Sequence, residues 1–385
     1  MGHRTRATSA AVRAQAAMGL HERAVGDFAA GRLPQARSLA GRALRRLVAI
    51  VGPRHAVVAD VCDTLAGIDG RAGRFDRALA WHRRGLAILA HADPEPETVI
   101  LHIRSLRNLG SLLTQMGKHA RADKTLRRAL QRAQSALGRN DVEVAGCHND
   151  LGVLCKFTGR FAEAAREYRR ALRISRRCLG DEHAQVATIY HNLGGLLHAR
   201  GRWREAEPFA RRSVEIREAL LGRDHPDVAA DVAALAAILD GQGRHAESRP
   251  LYRRALAIFE RTFGRAHYEV AVNLHNLAGA LQATGRCREA QPLLERALRI
   301  KRKLFGQRHP DVAFTLNNLA SVSSSLGRPR RAESLYRLAG SIFASTLGPE
   351  HANTQTCRQN LAALRADASR SHHRCRTRSL VPCAG

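Results

Sequence analysis

The chain is expected to be all-α, a solenoid of about eight helical hairpins closed by one further helix. Three observations predict it. Gly-Arg or Gly-Lys steps recur at Gly31, Gly73, Gly117, Gly159, Gly201, Gly243, Gly285 and Gly327, 42 residues apart except for one interval of 44. A fixed period of roughly 20 to 50 residues marks units that bury their apolar faces only by stacking on one another. Between the steps, apolar residues return at helical spacing. Aromatic residues make up only 4% of a chain that is 44% hydrophobic, which suits helices packed through Ala and Leu.

The unit is clearest in residues 268–309. Leu274, Leu277, Ala278 and Leu281 fall on one stripe of a first helix. Gly285 supplies a left-handed C-terminal cap and Arg286 follows in the turn. Ala290, Leu294, Ala297 and Ile300 form the stripe of a second helix, which ends at Phe305 before Gly306. The connector to the next hairpin recurs as LGDEHA, LGRDHP, FGRAHY, FGQRHP and LGPEHA around Gly180, Gly222, Gly264, Gly306 and Gly348. Pro226 and Pro310 suit the first helical position, where a missing amide hydrogen costs nothing, and Asp227 and Asp311 complement the positive helix end. The connector residues His183, His225, His267, His309 and His351 read as capping or packing groups, because metal ligands must converge on one point. The residue after the aligned first-helix Leu is always small, as Gly110, Gly152, Gly194, Ala236, Ala278, Ala320 and Ala362. That lets the two helices of a hairpin approach closely.

These residues, with Tyr168, Tyr252 or Tyr336 and then Ala171, Ala255 or Ala297 in the second helix, resemble the tetratricopeptide repeat. The 42-residue period and the strings NNLA (Asn317 to Ala320), GRWREAEP (Gly201 to Pro208) and LGRDHPDVA (Leu221 to Ala229) are similar to the kinesin light chain variety, in a stand-alone, bacterial-type array. The resemblance covers roughly residues 10–369. It implies a right-handed superhelix with first helices lining a concave groove and second helices on the convex side. Motor binding is not carried over. The expected organisation is a short flexible N-terminus (1–9), the repeat array with its capping helix (10–369), and a disordered basic tail (370–385). Two places depart from the beat: Asp93 to Glu97, where DPEPE replaces the connector beside a two-residue insertion, and the first hairpin, with Gly19 and Gly26 inside its first helix.

The formal net charge is +29, and only five of the 63 basic residues are Lys. Such a field attracts phosphates, acidic peptides or anionic membrane, while the Arg excess also fits the codons of a GC-rich genome. No apolar run of 18 residues occurs, so no transmembrane segment is expected. Eight Cys without a CxxC pair argue against a disulfide framework. Cys62, Cys147, Cys155 and Cys357 read as small core residues in a reducing, cytoplasmic setting.

Candidate binding residues stand just before the aligned first-helix Leu, at Asn108, Asp150, Asn192, Asn276, Asn318 and Asn360, with Asn149, His191, His275 and Asn317 one position earlier. A ladder of carboxamides can grip the backbone of an extended peptide whatever its side chains are. It can equally hold neighbouring repeats in register, and both readings stay open. Ala233 and Ala234 break the ladder. On the second helices, Arg127, Arg128, Arg169, Arg170, Arg211, Arg212, Arg253 and Arg254 are candidate anion contacts with the period of the repeat. No P-loop, GxSxG or HExxH motif is present, and neither catalysis, cofactor nor metal is expected. The sequence thus points to a scaffold or adaptor that binds an extended, acidic segment of a protein partner. The alternative is a nucleic-acid-associated repeat protein using the Arg stripe.

Overall fold

A computed structural model describes the backbone of residues 2–378 and the side chains of residues 11–366. Among the described residues there are seventeen helices and no strand. They fall into two compact units, Met1–Gly222 and Arg223–Gly385. The first unit holds α1 (Gly2–Ala29), α2 (Leu33–Val51), α3 (Ala56–Arg71), α4 (Phe75–Leu89), α5 (Pro96–Gln115), α6 (His119–Leu137), α7 (Val142–Phe157), α8 (Phe161–Leu179), α9 (Ala184–Ala199) and α10 (Trp203–Leu221). The second holds α11 (Pro226–Gly241), α12 (His245–Phe263), α13 (Tyr268–Ala283), α14 (Cys287–Phe305), α15 (Pro310–Ser325), α16 (Pro329–Leu347) and α17 (Ala352–Arg378). Consecutive helices pair as hairpins, α1 with α2 through α15 with α16, and α17 packs on α16.

The predicted stripes are the observed core. Leu274, Leu277, Ala278 and Leu281 of α13 and Ala290, Leu294, Ala297 and Ile300 of α14 are all buried. Gly285 and Gly306 have φ of +74° and +79°, in the left-handed region that lets the chain leave one helix and enter the next. The amide of Gly306 bonds Arg302 O at 2.9 Å, closing α14. Thr354 and Cys357 of α17 are buried, and Leu361 packs against the same core, so α17 covers an apolar face that would otherwise meet water.

Small residues at the helix crossings are required by contact distances. A Cβ on Gly152 would stand 2.6 Å from Cδ1 and Cε1 of Tyr168 in the partner helix, and one on Gly110 would overlap Leu126. At Gly194 the nearest atoms are those of Ala206 and Ala210, no closer than 3.5 Å.

The connector histidines are helix N-caps. Nδ1 of His183, His225, His267, His309 and His351 accepts from the amide two residues on, at 3.1 to 3.3 Å, and His55 does the same for Val57. Asp141 takes this role before α7, accepting from the Glu143 amide at 2.8 Å. His267 and His309 also stack on Phe263 and Phe305 at 4.4 Å. An accepting Nδ1 must be unprotonated, so each cap fixes its ring as the tautomer with the hydrogen on Nε2.

The expected irregularity at Asp93 to Glu97 redistributes length. α4 has 15 residues against 19 in α6 and α8, while α5 has 20 against 16 in α7. Without a left-handed glycine to close it, α4 stops early at Ala90, and Pro96 starts α5 early. At the termini α1 starts at Gly2 and runs through Gly19 and Gly26, as the sequence placed them, and α17 reaches Arg378. Residues 379–385 of the expected tail lie outside the described residues.

Two glycines on first helices separate packing from propensity. Gly152→Ala is expected to lower stability by about 1–3 kcal/mol through overpacking against Tyr168. Gly279→Ala, whose Cβ meets nothing within 4 Å, is expected to raise it by about 0.5–1 kcal/mol. Urea denaturation of both variants checks the contrast. His225→Ala should cost about 1 kcal/mol and His225→Asn should recover most of it, since Asn caps equally well.

Candidate functional site

The candidate carboxamides lie half-buried on the side of the first helices that does not face the core, except Asn108, which is exposed. Most bond across to the neighbouring first helix, by one rule. The residue just before the aligned Leu meets the residue two before the Leu of the preceding repeat. In the first unit Thr64 meets His21 at 2.9 Å, Asn108 donates to Asp63 at 2.6 Å, Asp150 accepts from Arg107 at 2.7 Å, and Asn192 donates to Asn149 at 2.8 Å. In the second unit Asn318 donates to His275 at 2.9 Å and Asn360 to Asn317 at 3.2 Å. The partners are 43 residues apart, or 45 across the insertion. Asn149 to Asp150 (3.3 Å) and Asn317 to Asn318 (3.4 Å) link successive rungs along the row.

The rungs of Arg107 and His275 are tied into wider networks. Arg107 bonds Asp150 and also Glu143 (2.9 Å), and it crosses α7 directly over Gly146, where a Cβ would collide with the guanidinium. Burial opposes the charge on Arg107, but Asp150 and Glu143 more than offset that and raise its pKa. His275 forms the second. Its Nε2 accepts from Asn318, so its hydrogen sits on Nδ1, 3.4 Å from Thr315 Oγ1. Thr315 in turn accepts from the buried Lys301 ammonium at 3.1 Å and donates to Asp311 O at 3.0 Å. Burial lowers the pKa of Lys301. Burial, and secondarily Lys301, pushes the pKa of His275 down to about 4.

The ladder stops at Ala233 and Ala234 of α11. By the rung rule Asn276 of α13 would bond the residue at 233, and a methyl group stands there. Asn276 makes no hydrogen bond among the described residues. The half-buried residues of α11 include Ala230, Ala233 and Ala234, and those of α13 include Val272, His275 and Gly279. His191 and Asn192 lie half-buried on α9 of the first unit.

The Arg stripe is largely paired within the scaffold. Arg127 bonds Asp123 (2.6 Å) and Glu163 (3.3 Å), Arg170 bonds Glu167 (3.1 Å), Arg211 bonds Glu207 (2.7 Å), and Arg212 bonds Glu182 and Glu215. Arg254 donates to the Arg223 carbonyl at 2.8 Å. Arg128, Arg169 and Arg253 have no ion pair among the described residues. The arginines of the Gly-Arg steps have a role the sequence reading missed. Arg160, Arg202, Arg244 and Arg286 each pair with the Glu three residues on, at 2.5 to 3.0 Å, in the first turn of the second helix. The spacing GRxxE carried that signal.

Cys62, Cys147, Cys155 and Cys357 are buried and free, and burial pushes the first three thiols up to about 11, 12 and 11. No helix of the described residues is long and apolar enough to cross a membrane. Among the described residues no group of three or more His, Cys, Asp or Glu could hold a metal ion.

The His275 rung sets a pH dependence. The unfolded chain binds a proton here below pH 6.5, whereas the folded protein does not until about pH 4. Stability of the second unit therefore falls as pH drops from 6.5 to about 4, by at most about 1.4 kcal/mol per pH unit. Urea midpoints measured from pH 7 to pH 4 should fall less steeply in His275→Gln than in the parent.

The tetratricopeptide repeat family profile matches residues 101–177, 157–219, 185–261, 228–303 and 269–340. No sequence among the curated proteins matches the chain. Among solved structures, a putative kinesin light chain of Podosopora anserina with nearly identical TPR-like repeats is 27% identical, over 52% of this chain and 94% of its own, with a TM-score of 0.44. BtubC (BKLC) from P. vanneervenii is 26% identical over 71% of this chain and 92% of its own, with a TM-score of 0.36. A Rap protein complexed with Competence and Sporulation Factor shares the fold at 13% identity, over 83% of this chain and 91% of its own, with a TM-score of 0.56. Repeated helical hairpins, glycine turns and a profile match spanning residues 101–340 together establish that the chain belongs to the tetratricopeptide repeat family.

Proposed function

We propose that this protein is a non-enzymatic interaction scaffold that binds an extended segment of a protein partner along its first helices, with the principal contact at the interrupted rung of α11 and α13. Repeats of this family generally mediate protein-protein interaction. The observation that carries the position is Asn276. Its carboxamide is the ladder Asn of the second unit left uncommitted, with both donors and its acceptor available to a peptide backbone. The alanines of α11 beside it leave room for a chain to approach, and they offer it an apolar surface. At the intact rungs, the same carboxamide is already satisfied by its neighbour, and a ligand would have to displace a bond of equal quality. The net charge of +29 favours an acidic partner segment. The nucleic-acid reading gains less support, because Arg127, Arg170, Arg211 and Arg212 of the stripe meant to track phosphates are paired with Glu and Asp of the scaffold itself.

The rung can be rebuilt to test this. Peptides selected from a displayed random library on the whole chain should bind Asn276→Ala about fivefold more weakly, the worth of about one hydrogen bond, at unchanged melting temperature. Ala233→Asn should raise stability by about 0.5–1 kcal/mol and weaken the same peptides, because it gives Asn276 an internal partner. Asn318→Ala should lower stability and leave peptide affinity unchanged. Peptides that bind all three variants like the parent would place the contact elsewhere.

A further inference from the structure

The first unit has an open surface groove of about 380 Å³ lined by half-buried Val99 of α5 and Arg132 of α6 and by exposed Arg128, Gln131, Ser135 and Ala136 of α6. It lies on the hairpin where the shortened α4 and early α5 break the repeat, far along the chain from the interrupted rung. Arg128 and Arg132 are four residues apart and Ser135 three further, so two guanidinium groups and a hydroxyl project from one side of α6.

Arg128 and Arg132 share the lack of an ion pair with Arg169 and Arg253, but they stand together on one groove and one of them is partly buried. Neighbouring Arg127 is held by Asp123 and Glu163, and other second-helix arginines are paired likewise. Neither Arg128 nor Arg132 has a carboxylate partner among the described residues, and Arg132 Nε is shielded from solvent with no hydrogen bond. A buried guanidinium nitrogen without an acceptor is costly. A second observation comes from α5. His102, one turn beyond Val99, is 5% exposed and its Nδ1 is also unpartnered. Burial, then the charges of Arg132 and Arg128, push its pKa down to about 4. Positive charge is therefore concentrated here and left uncompensated.

We propose that this groove is a binding site for a phosphate monoester, held by Arg128 and Arg132 with Gln131 and Ser135 completing its hydrogen bonds. Two guanidinium forks match a dianion with three acceptor oxygens, and their planar geometry favours bidentate contact with phosphate. Val99 and Ala136 give an apolar wall to the organic group that carries the phosphate. The phosphate can belong to a free small molecule or to a phosphorylated side chain, since the recognised group is the same.

Calorimetric titration of the whole chain with phenyl phosphate and with a phosphoserine peptide tests the site, with phenol and the unphosphorylated peptide as controls. Phosphate-dependent binding is expected, weakened about tenfold or more in Arg132→Gln, as loss of a charge-assisted contact implies, and at least as much in Arg128→Gln. Arg169→Gln, an unpaired arginine on the next second helix outside the groove, should bind like the parent. The ring resonances of His102 should shift on addition of phenyl phosphate in the parent and not in Arg132→Gln. Tighter binding of the peptide would assign a phosphorylated protein partner, and tighter binding of phenyl phosphate a small molecule. Equal loss in Arg169→Gln, or binding of single-stranded oligonucleotide alone, would overturn the site and leave only a diffuse basic field.

Discussion

Each hairpin depends on two helices crossing where one side chain is missing or reduced to a methyl group. At Gly110 and Gly152 the opposing Leu126 and Tyr168 occupy the volume a Cβ would need. That close approach lets Cys155 of α7 join Ala164 and Tyr168 of α8 in one core, while Leu151 and Leu154 close on Ala122 and Leu126 of the preceding hairpin. A hairpin so formed still has an apolar face to cover, and the following hairpin covers it. Repetition is thus a requirement of burial, and α17 ends it in the second unit with Thr354 and Cys357 turned inward.

Hydrogen-bond satisfaction explains most of the polar residues that recur. Connector histidines cap helix starts that would otherwise leave amides unsatisfied. Turn arginines pair with a Glu one helical turn away. Carboxamides before the aligned Leu bond to the previous repeat. Such groups recur because the backbone poses the same problem in every unit. Functional candidates are then the places where a polar group lacks the partner its register predicts, at Asn276 and at the Arg128 and Arg132 pair. Exposed Arg-Glu pairs stabilise little individually, but they neutralise surface that a phosphate backbone would need.

Much of the architecture was legible in the sequence. The turn glycines, the apolar stripes of α13 and α14, the closing helix after Gly348 and the disturbance at Asp93 to Glu97 all follow from local chemistry: φ preference, periodicity and the absence of a glycine. The histidines were placed correctly as capping or packing groups for the same reason, since an N-cap bond spans two residues.

The sequence by itself determined which residues make a repeat, because those interactions lie within one hairpin and follow from spacing. Only the tertiary structure decided which Asn are committed to a neighbour. A bond between residues 43 apart depends on the rotation of one first helix about the next, a quantity set by packing between repeats and absent from any periodicity within them. The same holds for Arg128. Sequence alone gives it the same standing as Arg170, and only the spatial arrangement shows that Arg170 pairs with Glu167 while Arg128 lines an open groove.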